Sequence, residues 1–125
     1  MDRVAVKDML TSTIFDCFIY KGYGQRVSER DHQPGGFALE LGLKDVGLVL
    51  DTAHRSGVPM PFGSVMKDGF TAAMSKGREN LDWSALGLGA SENAGVDVSK
   101  AVEESAKNLP EVLRPDAIVK AKKNI

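Results

Sequence analysis

The longest regular pattern of apolar positions lies in the stretch 37–61, FALELGLKDVGLVLDTAHRSGVPMP. Leu39, Leu43, Val46, Leu50 and Ala53 recur at steps of three and four, which places them on one face of an α-helix. Arg55 in the last turn, Gly57 just beyond it and Pro59 soon after form the expected stop. A second helical pattern runs over 62–75, where Val65, Met66, Phe70, Ala73 and Met74 share a face and Gly77 supplies the C-cap. Residues 1–18 carry Val4, Val6, Met9, Leu10, Ile14, Phe15 and Phe18 close to a helical stripe, with Asp2 suited to the positive end of the dipole. Thr11-Ser12-Thr13 weaken that pattern in the middle. The rival, a strand over Cys17–Tyr20, has no second convincing strand to pair with.

Between these segments the breaks are marked by glycine and proline. Lys21-Gly22-Tyr23-Gly24 reads as a flexible joint, 25–30 as a short helix, and 31–36 as a loop ending in Pro34-Gly35-Gly36. Asp82 is placed to cap a short helix over 83–90, with Ser84 as the rival cap. Beyond Ser91 the character changes. The segment 98–109 is charged and only mildly amphipathic, Pro110 ends it, and a last segment over 117–124 finishes in Lys120, Lys122 and Lys123. The pattern predicts an all-α fold of six or so helices. It comprises a body over 1–94 and a divergent tail over 95–125 that packs peripherally, pairs with another chain or stays mobile.

Composition narrows the function classes. A chain of 125 residues suits one domain with a single core. The net charge of −1, from nearly balanced acids and bases, gives no sign of a nucleic-acid-binding surface. Cys17 is the lone cysteine, so no internal disulfide can form, and its apolar setting FDCFIY suggests a buried thiol in a reducing compartment. No apolar run reaches membrane-spanning length, and the first residues lack the core of a signal peptide, so the expectation is a soluble, cytoplasmic domain.

The candidate chemistry is sparse. His32, His54 and Cys17 show no metal-ligand spacing, and no nucleophile-elbow sequence supports a triad. His54 reads as a surface residue near a helix end, and His32 as a loop residue without a role. Gly87-Leu88-Gly89 followed by Glu92 breaks the dinucleotide fingerprint at its third glycine and follows no strand. Lys44-Asp45, inside the central helix, has two readings. Glu40 with Lys44 and Asp51 with Arg55 are spaced as helical ion pairs, each worth about 0.2–0.5 kcal/mol on a solvated face. Leucine, glycine and valine on both sides instead suit a lysine and carboxylate that are paired or face a cleft.

Three segments in order carry a family resemblance: Gly36-Phe37-Ala38-Leu39 through Lys44-Asp45, then Gly57-Val58-Pro59-Met60-Pro61, then Asp82-Trp83-Ser84-Ala85-Leu86. Together they resemble the C-terminal domain of the β-hydroxyacid dehydrogenases, the 3-hydroxyisobutyrate dehydrogenase relatives within the 6-phosphogluconate dehydrogenase-like superfamily. The resemblance covers roughly 8–94. It implies a 6-phosphogluconate dehydrogenase C-terminal-domain-like helical bundle that follows a Rossmann domain in the full enzymes and closes over the active-site cleft. It further implies that Lys44 faces an NAD or NADP cofactor, that Phe37 and Asp45 shape the closed cleft, and that a helix of the domain supports dimerisation.

The departures set further expectations. No Gly-x-Gly-x-x-Gly turn is present to hold a pyrophosphate. The family's catalytic lysine, in a Gly-x-x-x-Lys-x-x-x-Asn pattern, has no counterpart, since Lys7 and Lys21 lack the flanking residues. No catalytic residue and no metal ligand is therefore assigned. The chain is expected to bind no cofactor tightly alone and to be inactive alone. Its expected partners are the Rossmann domain of a parent or companion dehydrogenase and further copies of itself, the latter through the N-terminal helix containing Val6, Leu10 and Phe15. The alternative is a non-enzymatic helical dimerisation module derived from that domain.

Overall fold

The structure, a computed structural model, describes residues 1–124. Among them are seven α-helices: α1 (Arg3–Thr11), α2 (Phe18–Glu29), α3 (Leu39–Arg55), α4 (Pro61–Ser75), α5 (Gly87–Asn93), α6 (Ser99–Ala106) and α7 (Pro115–Lys122). Two 3₁₀ turns, Trp83–Leu86 and Glu111–Leu113, precede α5 and α7. The described residues contain no named strand, only one antiparallel bridge between Ala38 and Asp82. Among the described residues, no helix is long and apolar enough to cross a membrane.

The central pattern forms α3 as expected. Leu39 is fully buried, and Leu43 and Val46 pack against the core. Ser56 caps the helix and Gly57 takes the left-handed conformation, φ 66°, that a glycine adopts without steric cost. Its close neighbour is α4, which has Pro61 in its first turn, where the missing N–H has no helical partner to lose. Gly42 lets the two helices approach: a Cβ there would stand 3.0 Å from the Phe70 ring. Phe70, Ala73, Leu81, Ala85 and Leu88 complete the core together with Leu39.

Residues 1–18 do not form the single helix that their apolar stripe suggests. The side chains of Thr11 and Thr13 hydrogen-bond back to the carbonyls of Lys7 and Met9, at 2.9 Å each, and the chain turns over 12–17. A new helix, α2, then runs straight through the expected Lys21–Gly24 joint and absorbs the short helix expected over 25–30. Gly24 has a packing reason to be there, since a Cβ would lie 3.2 Å from Lys7 Cγ on α1. The turn also leaves Cys17 at the start of α2 and exposed, not buried as its neighbours suggested.

The segment after Ala94 is tied to the rest of the molecule. Val98 and Ala106 join the core cluster, and the Ser105 hydroxyl accepts the His32 amide at 3.0 Å. Gly77, at φ 74°, lies so close to Pro115 that a Cβ would sit 2.4 Å from its carbonyl oxygen. Lys122 Nζ donates to the Met74 carbonyl at 2.7 Å and to Glu79 at 2.9 Å. The almost fully buried Arg78 grips Glu92 through two hydrogen bonds of 2.6 and 3.1 Å, which holds the Glu92 carboxyl below its usual range despite partial desolvation.

Candidate functional site

Two of the resemblance segments, Gly36–Leu39 and Asp82–Leu86, meet where the loop before α3 reaches the turn before α5, whereas Gly57–Pro61 lies at the other end of α3. The Leu39 amide donates to the Leu81 carbonyl at 2.9 Å, and the Trp83 amide to the Phe37 carbonyl at 2.7 Å. Asp82 organises this junction. Its carboxylate accepts the Ser84 amide at 3.0 Å and the Ser84 hydroxyl at 2.6 Å through one oxygen, and the Phe37 amide at 3.3 Å through the other. Asp82 is thus the cap expected from the sequence. Gly36 has to be small, because a Cβ would lie 2.4 Å from the second Asp82 oxygen.

His32, given no role from sequence, belongs to this network. Its ring is buried, and Nδ1 lies 2.9 Å from Ser84 Oγ. Ser84 has one hydroxyl proton and spends it on Asp82, so its oxygen accepts and His32 Nδ1 carries the hydrogen. Burial lowers the His32 pKa from 6.5 to about 4, outweighing the attraction of Asp82 and Asp31. The order Asp–Ser–His lacks a base on the serine, so this is a structural strap, not a nucleophilic triad. A sequence signal existed in the D-x-S spacing at 82–84. Nothing in the sequence showed that a histidine fifty residues earlier would complete it.

Phe37 packs its ring against Trp83, with centroids 5.6 Å apart and planes at 83°, and Trp83 in turn meets Tyr23 edge-on at 5.4 Å. The Trp83 indole N–H is buried there without a hydrogen-bond partner. Lys44 and Asp45 lie further along α3. Lys44 Nζ is 3.3 Å from Asp45 Oδ1, and the two side chains are 61% and 53% exposed. The partner of Lys44 is therefore Asp45 and not Glu40. Among the described residues, no hydrogen bond or ion pair joins Phe37 to this pair.

Lys44 and Asp45 share the outer face of α3 with exposed apolar side chains. Leu41, Lys44 and Leu48 follow at steps of three and four on the face of α3 opposite Leu39 and Leu43. Leu41 is 40% exposed, Leu48 59%, and Val49 beside them 51%. The outer face of α3 is therefore mixed: exposed Leu41 and Leu48 stand among Glu40, Lys44, Asp45, Asp51, Thr52 and Arg55, all of them exposed as well. An exposed pair of this kind is worth about 0–1 kcal/mol, so the ammonium can exchange Asp45 for another anion at little cost.

Val6, Leu10 and Phe15 do not form a free-standing stripe. They line a groove between α1, α2 and α5. His54 is exposed at the end of α3, as expected. Among the described residues, no group of three or more histidine, cysteine, aspartate or glutamate side chains could hold a metal ion.

Comparison with known proteins places this geometry in context. Residues 1–88 match the family model described as "NAD-binding of NADP-dependent 3-hydroxyisobutyrate dehydrogenase". An uncharacterised oxidoreductase of Bacillus subtilis, YfjR, is 36% identical over 77 residues, 62% of this chain and 27% of that protein. The 3-sulfolactaldehyde reductase of Escherichia coli K12 is 34% identical over 83 residues, 66% of this chain and 28% of the relative. An L-threonate dehydrogenase of Cupriavidus necator is 28% identical over 86 residues, 69% of this chain and 29% of the relative. The chain therefore spans little more than a quarter of the length of the curated relatives it matches.

Proposed function

Because the chain belongs to the 3-hydroxyisobutyrate dehydrogenase family of NAD-binding proteins, we propose that it is the helical domain that closes the active-site cleft of a NAD(P)-dependent β-hydroxyacid dehydrogenase. The outer face of α3 is the closing surface. Lys44 faces the cofactor, and Phe37 and Asp45 shape the cleft beside it. The observation that carries this reading is the pair of exposed leucines, Leu41 and Leu48, flanking Lys44, since large apolar side chains left in water beside a charged group suit a surface that another one covers.

The chemistry asked of Lys44 is modest and specific. NAD or NADP, when bound, supplies the hydride acceptor or donor. Covering these leucines removes water from the Lys44 ammonium, and the same charge then acts on a neighbouring anion far more strongly than it does in water. Asp45 holds the ammonium in place until that exchange. The dinucleotide itself is held by a separate Rossmann domain, for which this chain offers no phosphate loop. In isolation the chain is inactive and associates with itself through the faces such a partner would cover, α1 among them.

The test is association with the separately produced dinucleotide-binding half of a relative such as 3-sulfolactaldehyde reductase, followed by sedimentation velocity. Leu48→Asp, on the exposed face, should keep the fold and weaken association at least tenfold. Equal association of the variant, or hydride transfer from NADH or NADPH by the isolated chain, would overturn the reading.

A further inference from the structure

The groove between α1, α2 and α5 encloses about 640 Å³. Val6, Leu10 and Leu88 form apolar walls, and Gly24, Gly87 and Ala90 contribute small residues to its lining. The lining follows α1 from Met1 past its end to Phe15, so the groove runs the full length of a nine-residue helix, about 13 Å. That length suits a rod better than a compact small molecule.

The electrostatics select the kind of rod. Arg3, Lys7 and Arg30 line the groove, and no aspartate or glutamate does. Two of these cations are held in position: Arg3 Nε donates to the Ser28 carbonyl at 3.0 Å, and Arg30 Nη2 to Ser91 Oγ at 3.2 Å. Lys7 pairs with Asp8, which is exposed and does not line the groove. His32, which also lines the groove, is neutral at pH 7, because burial lowers its pKa to about 4.

We propose that this groove seats an amphipathic α-helix of about three turns, with an apolar stripe at i, i+3 or i+4 and i+7 and carboxylates on its flanks, carried by the protein that supplies the dinucleotide-binding domain. The proposal rests on the functional reading above for the identity of the partner. The chemistry of the helix follows from the groove alone.

The probe is a fluorescein-labelled peptide of about 18 residues with a leucine stripe and glutamate flanks, compared with its lysine-flanked twin and with decanoate. Anisotropy at low salt should show the glutamate peptide binding at least tenfold more tightly than the lysine peptide. Leu10→Asp should weaken it at least tenfold, and Arg30→Glu should reverse the preference between the two peptides. Leu10 is more than a third exposed, so the first variant retains the fold, and the second checks the result through charge alone. Lys44→Ala, on the other face, should change nothing. The proposal is overturned if the peptides bind equally, if only decanoate binds, or if Leu10→Asp dissolves a homodimer whose groove the glutamate peptide cannot enter. Binding abolished by Lys44→Ala would also overturn it, while leaving the functional reading intact. Groove binding without association of the dinucleotide-binding half would instead sink that reading and sustain this one.

Discussion

Acidification should unlock the strap at His32 before the Glu92 carboxylate gives way. The folded protein holds this imidazole neutral with a pKa of about 4, whereas the unfolded chain titrates near 6.5. The folded pKa is the lower one, so the unfolded state binds the proton first. The stability held in this group is complete above pH 6.5 and is lost as pH falls towards 4. Between pH 7.5 and 4.5 the two values give a loss of about 2.5 kcal/mol, reduced to about 2 kcal/mol by solvent screening from the groove that His32 lines. With a urea m-value of about 1–3 kcal/mol/M, the midpoint should fall by roughly 1 M. Glu92 acts in the same direction but only as pH drops below its usual 4.5, because Arg78 holds its pKa down. Urea melts at pH 7.5 and 4.5 for the wild type and His32→Asn provide the assay. Asparagine can still donate to Ser84 Oγ but cannot titrate. An unchanged wild-type midpoint, or an equal shift in the variant, would refute the reasoning.

Three further perturbations follow from packing. Gly77→Ala meets a left-handed backbone and a carbonyl 2.4 Å away, and should cost about 2 kcal/mol or more by thermal melt and loosen amide protection across α7. Leu43→Asp places a charge against the core with no partner, and should abolish the cooperative unfolding transition seen by circular dichroism. Lys44→Ala, on an exposed pair, should alter the melting free energy by no more than about 0.5 kcal/mol, so that any functional loss in this variant is not a folding loss.

The parts legible in the sequence were those specified by neighbours in the chain. The α3 stripe from Leu39 to Ala53, the Gly57 and Gly77 stops and the Asp82 cap all depend on contacts within a few residues, and local pattern carries them. The split of residues 1–18 was less legible, because threonine hydroxyls that turn back on carbonyls leave the apolar stripe unbroken on paper. Glycines in α2 read as a joint because the contact that makes Gly24 small lies on another helix. His32 depended on partners at Ser84 and Ser105, far away in sequence, and so looked like loop. Lys44-Asp45 stood out by composition, but only the fold showed that Leu41 and Leu48 beside it face outward while Leu43 packs on the core.

On the proposed reading, Lys44 meets the nicotinamide cofactor once a dinucleotide-binding domain covers the outer face of α3. The direct measurement is calorimetric titration of NADH and NADPH into that domain, alone and mixed with this chain as wild type or Lys44→Ala. Cofactor binding should be at least tenfold tighter with the wild-type chain, and that gain should be lost with Lys44→Ala although the variant still associates. Equal binding in all three samples would contradict that reading.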